Sequence, residues 1–259
     1  MVLNLIGIGI NDKLDISLKG LNLIKNSDEV YIEYYTCLIH NSIEELEQLF
    51  NKKVNVLYRD DIENKIEDLI LNKSKENNIS LLVIGDPLSA TTHCDLLMRA
   101  KELQIETKVV HNASVFTAIS KTGLQLYKFG KVTSVPFEQE NYKITTPIRI
   151  YNQNQSIDAH TLFLLDLDPQ NNKFLTANQA LNILKNSSNK LLDEEDLDFE
   201  INDDTNIIVC ARLGADDEVI KFGKIKDLIN FDFGKPVHCI IIPSKLHFAE
   251  EDFLHQFEI

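Results

Sequence analysis

The chain has 259 residues, 44% of them hydrophobic and 25% charged, with 26 Lys plus Arg against 40 Asp plus Glu and a formal net charge of -14. That apolar share can fill one or two cores and excludes general disorder. The acidity repels phosphate backbones and anionic lipid, so neither a nucleic-acid nor a membrane partner is expected. No apolar run approaches the ~20 residues of a transmembrane helix. The first residues carry no basic signal-peptide region, so a cytoplasmic location is expected.

Val2 to Ile10 reads as a buried strand that runs into Gly7-Ile8-Gly9. Ser17 can cap a helix through about Lys25. Val30 to Tyr35 is a second strand, and Ser42 to Phe50 a helix opened by a Ser42/Glu45 capping box. Ile62, Ile66, Leu69 and Ile70 share one helical face, predicting a helix from Asp61 to about Lys75. Ile79 to Ile84 is a strand that stops at Gly85-Asp86-Pro87. A helix through Leu96 to Leu103, a strand at Thr107 to Val110 and a helix from about Ala113 to Lys121 follow. This alternation implies a mostly parallel sheet with crossover helices, in which ligands bind beyond the carboxyl ends of the strands. Three loops lie at such ends: Gly7 to Asn11, Gly85 to His93, and His111 to Ser114.

The second half differs. Lys131 to Pro136 and Thr161 to Leu167 read as strands, and Thr176 to Leu184 as a helix with a Thr176/Gln179 capping box. The polar stretch Glu138 to Asp158 is not assigned to an element. Asp193 to Asp204 is acidic and expected to be a solvated face or loop. Asn206 to Leu213, Val219 to Phe222 and Val237 to Pro243 are strands, and Phe248 to Phe257 a final helix. The fold class is therefore α/β, with one domain over residues 1–130 and a second over 131–259.

Four cysteines, Cys37, Cys94, Cys210 and Cys239, form no Cys-x-x-Cys pair. Cys210 and Cys239 lie in apolar runs and read as small hydrophobes. No histidine pair has metal-ligand spacing, so no metal is expected. Gly7-Ile8-Gly9 lacks the third glycine of a dinucleotide fingerprint, since position 12 is Asp12, and Glu33 is the only acidic residue near a second strand end.

The loop Gly85-Asp86-Pro87-Leu88-Ser89-Ala90-Thr91-Thr92-His93 points most sharply to ligand binding. Gly85 permits close approach, Pro87 stiffens the turn, and Asp86 stands where a ribose or cation would lie, or it caps a turn. Ser114 either caps its helix or faces a ligand. Gly123 to Gly130 is bounded by glycines, and His238 opens an apolar strand, as either a core histidine or a ligand contact.

These strings, with His160-Thr161-Leu162, Ala211-Arg212-Leu213-Gly214-Ala215-Asp216-Asp217 and Gly234-Lys235-Pro236-Val237-His238, resemble the diphthine synthase family in order and spacing. That family is part of the tetrapyrrole-methylase-like S-adenosylmethionine methyltransferases, and the likeness runs from residue 3 to about 248. It implies two α/β domains of the tetrapyrrole methylase type with the cofactor cleft between them, in a homodimer. It also implies S-adenosyl-L-methionine contacts at positions matching Ile10, Asp86, Ser89, Ser114, Val115, Leu165, Leu213 and His238, those of Ser89 and Val115 through backbone.

The implied activity is trimethylation of the amino group on a 3-amino-3-carboxypropyl-modified histidine of translation elongation factor 2, giving diphthine. Pro243-Ser244-Lys245-Leu246-His247 places the chain with archaeal members. Over Glu138 to Ala159 the family usually carries a tryptophan and this chain has none, so no substrate contact is carried over from that stretch. No catalytic residue is assigned, since a mild acceptor suffices for an amine that titrates near ~8. Alternatives are a corrin or porphyrin C-methyltransferase of the same fold, or a non-catalytic acidic module that grips a basic partner.

Overall fold

Leu3, Leu5, Ile6 and Ile8 are all fully buried, on both faces of the first strand. This is the pattern of a strand inside a sheet covered on each side. The computed structural model describes every residue except Thr36, Cys37, Asn141 and Asp193. The readings of Cys37, of the start of the acidic run and of Asn141 within the polar stretch thus fall outside the described residues. Contacts divide the chain into two units: Met1–Ala118 with Asp168–Lys173, and Ile119–Leu167 with Phe174–Ile259. The division falls after Ala118, where the sequence reading sets a boundary at residue 130.

The first unit is built on five parallel strands, β1 (Val2–Gly7), β2 (Glu29–Glu33), β3 (Val54–Leu57), β4 (Ile79–Val83) and β5 (Glu106–Val110), in the order β3-β2-β4-β1-β5. Helices α1 (Leu18–Lys25) and α2 (Ile43–Phe50) supply Ile24, Leu46 and Phe50 to the face bearing Ile6 and Ile8. The opposite face, with Leu3 and Leu5, packs Ile66, Ile70, Leu96 and Ala100. Ser17 accepts from Gly20 N to cap α1, and Ser42 and Glu45 form the expected capping box on α2.

The helix expected over Asp61–Lys75 is interrupted. It runs as α3 (Arg59–Asn64), a π turn (Glu67–Leu71) and α4 (Asn72–Ser74). The wider turn brings both Ile70 and Leu71 to full burial, which a regular α turn places on diverging bearings. The expected helices after β4 and β5 are α5 (His93–Glu102) and α6 (Val115–Ala118), the latter passing into a 3-10 turn at Ile119–Thr122.

In the second unit the sheet order is β11-β10-β12-β7-β6, with β6 (Thr133–Val135) parallel to β7 (Thr161–Leu165). A short hairpin, β8 (Leu167–Asp168) with β9 (Lys173–Phe174), whose Asp168–Lys173 stretch counts with the first unit, comes in the chain before β10 (Asn206–Ala211), β11 (Val219–Lys224) and β12 (His238–Ile242), which pair antiparallel. One core gathers Phe163, Val209 and Ile240 from this sheet. It also takes in α7 (Thr146–Gln155), α8 (Ala177–Leu192) and α9 (Ile225–Leu228). The last helix is α10 (Phe248–Leu254).

Helix α7 lies in the polar stretch left unassigned. It buries Pro147, Ile148, Tyr151 and Asn154. Asn154 is polar by composition but satisfied, giving Nδ2–H to Lys131 O (2.8 Å) and Thr161 Oγ1 (3.1 Å) and accepting from Lys131 N–H at 2.9 Å. Helix α8 exceeds its expected end at Leu184 because Ser188 and Leu191 are also buried. Cys210 and Cys239 sit opposite each other in the β10–β12 register, both buried, as small core residues.

Candidate functional site

Strands β1 and β4 are neighbours, yet the connection after β1 runs over one face of the sheet through α1 and the connection after β4 over the opposite face through α5. Chain connections that part in this way leave a crevice beyond the strand ends. The first and second expected loops meet there. Gly85 N–H donates to Gly9 O (2.7 Å), and both residues adopt left-handed backbone, φ +86° and +85° for Gly9 and Gly85. A Cβ on Gly7 would lie 2.6 Å from Gly85 O and 2.9 Å from Pro87 Cδ. A Cβ on Gly85 would meet nothing nearer than Ala113 O at 3.9 Å, so that glycine faces open space.

Asp86 joins the β4 and β5 loops. Its Oδ1 accepts from Leu88 N–H (3.0 Å) and Ser89 Oγ–H (3.2 Å). Its Oδ2 accepts from the His111 ring at Nδ1 (2.8 Å) and from Asn112 N–H (3.1 Å). Four donors fill the four lone-pair sites of a carboxylate. Burial pushes the Asp86 carboxyl up, but the Leu88 and Asn112 amides and the His111 ring outweigh it, and the net shift is downward. Asp86 is therefore an ionised clamp between loops, with its charge held at the crevice.

Asn112 extends the clamp to the β1 loop, donating Nδ2–H to Gly7 O (3.0 Å) and Asp15 O (2.9 Å). The Asp15 carboxylate in turn accepts the amides of Ile10 (3.2 Å) and Asn11 (2.9 Å). Behind the β4 loop, buried His93 places Nδ1 3.2 Å from Pro87 O and Nε2 3.0 Å from Glu33 Oε2. Glu33 is fully buried there, so it does not present a carboxylate to a ribose and the dinucleotide reading loses its acidic partner.

Of the residues expected to touch a methyl donor, the first unit brings Ile10, Asp86, Ser89 and Ser114 onto these three loops and puts Val115 at the start of α6. Ser89 turns its hydroxyl inward to Asp86, leaving backbone for a ligand. Ser114 is buried, and its Oγ has no hydrogen-bond partner among the described residues.

The other three lie in the second unit. Leu165 ends β7, and Leu213 follows β10. Arg212, at φ +53°, shapes the Leu213 turn: its guanidinium donates to Phe233 O (2.8 Å), Lys235 O (2.5 Å), Asp217 O (2.7 Å) and Asp217 Oδ2 (2.8 Å).

His238 is a structural staple. Nδ1 accepts from Ala177 N–H at the start of α8 (3.1 Å), and Nε2–H donates to Lys235 O at 2.9 Å. Burial lowers its pKa against the opposing Lys235 hydrogen bond, so the ring is neutral and both nitrogens are used. A ligand contact from His238 falls to its backbone or ring face.

The Gly123–Gly130 string is explained by Glu250 on α10. Glu250 Oε1 accepts from Gln125 N–H (2.9 Å) and His160 Nε2–H (3.1 Å), and Oε2 from Lys128 Nζ (2.5 Å) and His247 N–H (2.8 Å). Burial raises its carboxyl, but these four donors hold it down at about 2. Nothing in sequence spacing links Glu250 to this string. The hub comes from tertiary packing alone.

Comparison with known proteins gives three findings. The family profile of Tetrapyrrole (Corrin/Porphyrin) Methylases matches residues 2–229. The diphthine synthase of Methanocaldococcus jannaschii is 43% identical over 256 residues, covering 98% of this chain and 97% of that protein. That of Methanothermobacter thermautotrophicus is 39% identical over 255 residues, covering 98% and 94%. A crystal structure of diphthine synthase superposes with a TM-score of 0.88 at 36% identity, covering 100% of this chain and 96% of the other. No helix among the described residues is long and apolar enough to cross a membrane.

Proposed function

Because this chain belongs to the tetrapyrrole (corrin/porphyrin) methylase family, among its diphthine synthases, we propose that it methylates the modified histidine of translation elongation factor 2. It is an S-adenosylmethionine-dependent methyltransferase of diphthamide biosynthesis. The finer reading is that it adds three methyl groups to the amino nitrogen of the 3-amino-3-carboxypropyl side chain, giving diphthine. We further propose a cytoplasmic homodimer, supported by the family resemblance.

The donor supplies an activated sulfonium methyl. The first unit suits it: Gly85 leaves open space at the strand end, and the Asp86 charge favours a cation. We place Ile10, Asp86, Ser89, Ser114 and Val115 in donor contact, with Leu165, Leu213 and His238 contributing from the second unit. The clustering of three loops around Asp86 at the sheet's switch point supports the first-unit contacts, and the family resemblance supports the other three. The chain's main contribution is alignment, worth roughly 7–11 kcal/mol for well-oriented reactants.

The test is methyl transfer to elongation factor 2 bearing the aminocarboxypropyl histidine, with methyl groups counted by intact mass. Three added methyls support the reading. No transfer to that substrate, or transfer to a tetrapyrrole instead, overturns it.

A further inference from the structure

We propose that His111 is the proton acceptor for the substrate amine, a role that rests on the methyl-transfer reading above. Its Nδ1 lies 2.8 Å from Asp86 Oδ2, and its side chain is 68% exposed beyond the end of β5. The Asp86 carboxylate is acceptor-only, so Nδ1 carries the proton of that bond. The Nε2 lone pair is left pointing away from the clamp, with no partner among the described residues. A carboxylate that fixes the tautomer and steadies the imidazolium is the arrangement of a general base.

The other histidines of the first unit lack this combination. His93 is buried and has both nitrogens against oxygen atoms. His40 is exposed and joins the cluster only through its N–H to Asn11 O (3.0 Å), with no carboxylate partner among the described residues.

An α-amino group titrates near ~8, so about nine-tenths of it is ammonium at pH 7 and has no lone pair. Before each transfer one N–H bond breaks. The proton bonds to His111 Nε2, and the electron pair stays on the amine. That pair forms the new N–C bond as the donor's C–S bond breaks, its electrons returning to sulfur. The exposed imidazolium then gives its proton to water. Three rounds release three protons, and the quaternary nitrogen that results has neither proton nor lone pair, so His111 has no fourth round to serve.

Two variants separate a base from a loop tie. His111→Gln keeps an N–H for Asp86 but cannot accept a proton, whereas His111→Ala removes both. With the elongation-factor substrate, both variants are expected to lose about a hundredfold in turnover. Their donor dissociation constants, measured by calorimetry, are expected to stay within about twofold of wild type. Ring 15N shifts of the wild-type chain are expected to show His111 protonated at Nδ1 and bare at Nε2. His111→Gln at wild-type turnover, a loss carried by donor affinity, or an Nε2–H tautomer overturns the assignment. Wild-type protein that transfers no methyl overturns the function itself, a separate outcome.

Discussion

His160 and Glu250, ninety residues apart, meet in the second unit with Nε2 3.1 Å from Oε1. Ser244 N–H donates to the other ring nitrogen at 3.0 Å, so His160 is neutral and gives its single N–H to an ionised carboxylate. Both side chains are fully buried.

Removing that carboxylate's charge strands its partners. Glu250→Gln keeps the volume but turns an amide N–H toward two of four donors, with Lys128 beside it. Breaking one partner of a buried ionic network costs about 3–5 kcal/mol. We expect a loss of about 3 kcal/mol in chemical denaturation of the Glu250→Gln chain. A loss below about 0.5 kcal/mol would show that the hub carries no weight.

The same group sets an acid limit. Glu250 is held down at about 2 against an ordinary carboxyl value of 4.5, so the stability it contributes is complete above pH 4.5 and is lost as pH falls toward 2. His160 and His238 act earlier. Burial lowers both, so below the ordinary value of 6.5 the unfolded chain binds protons that the folded chain refuses. Stability is expected to decline from about pH 6.5 downward, by up to about 1.4 kcal/mol per pH unit for each histidine. Denaturation curves from pH 8 to 4 check this. A flat wild-type profile between 6.5 and 5 contradicts it, and His160→Gln should flatten part of the slope.

At Gly7 the β4 and β5 loops close on the end of β1. An added Cβ meets Gly85 O at 2.6 Å, Pro87 Cδ at 2.9 Å and Asn112 Cβ at 3.0 Å, none of them the free end of a flexible side chain. Overpacking of this kind costs about 1–3 kcal/mol. Gly7→Ala is expected to weaken S-adenosylmethionine binding more than it lowers Tm, because the strain falls on the loops we propose to hold the donor. Calorimetry beside thermal unfolding compares the two, and an unchanged donor affinity would place these loops outside the site.

Much of this was legible from the residues. The alternation of buried runs and amphipathic segments marks the parallel sheet, and Ser17, Ser42 and Thr176 announce their helices by local chemistry. Strand β3 escapes because four residues, Val-Asn-Val-Leu, are too short to show a period. Helix α7 escapes because Asn154 belongs to its buried face, and a polar core residue breaks an apolar count. In the site, Asp86 was legible as chemistry but not as a clamp: its four donors come from two loops 26 residues apart in the chain. His111 gains its role only from the neighbour that folding brings to it, and no spacing rule pairs it with Asp86.

Asp86→Asn tests that clamp and the charge together. An amide has one accepting oxygen, so its nitrogen must face either the Leu88 pair or the Asn112 pair of donors. Ser89 and His111 can turn their protons elsewhere, but one backbone N–H is left without an acceptor in either orientation, at a cost of about 1–3 kcal/mol. If the amide nitrogen faces His111, the ring must accept at Nδ1 and so carry its proton on Nε2, which removes the lone pair that the amine needs. Loss of the negative charge also removes attraction for a sulfonium. We therefore expect donor affinity to fall about tenfold, or 1.4 kcal/mol, with turnover falling further than affinity. Unchanged binding and rate in Asp86→Asn would place donor and amine away from this crevice.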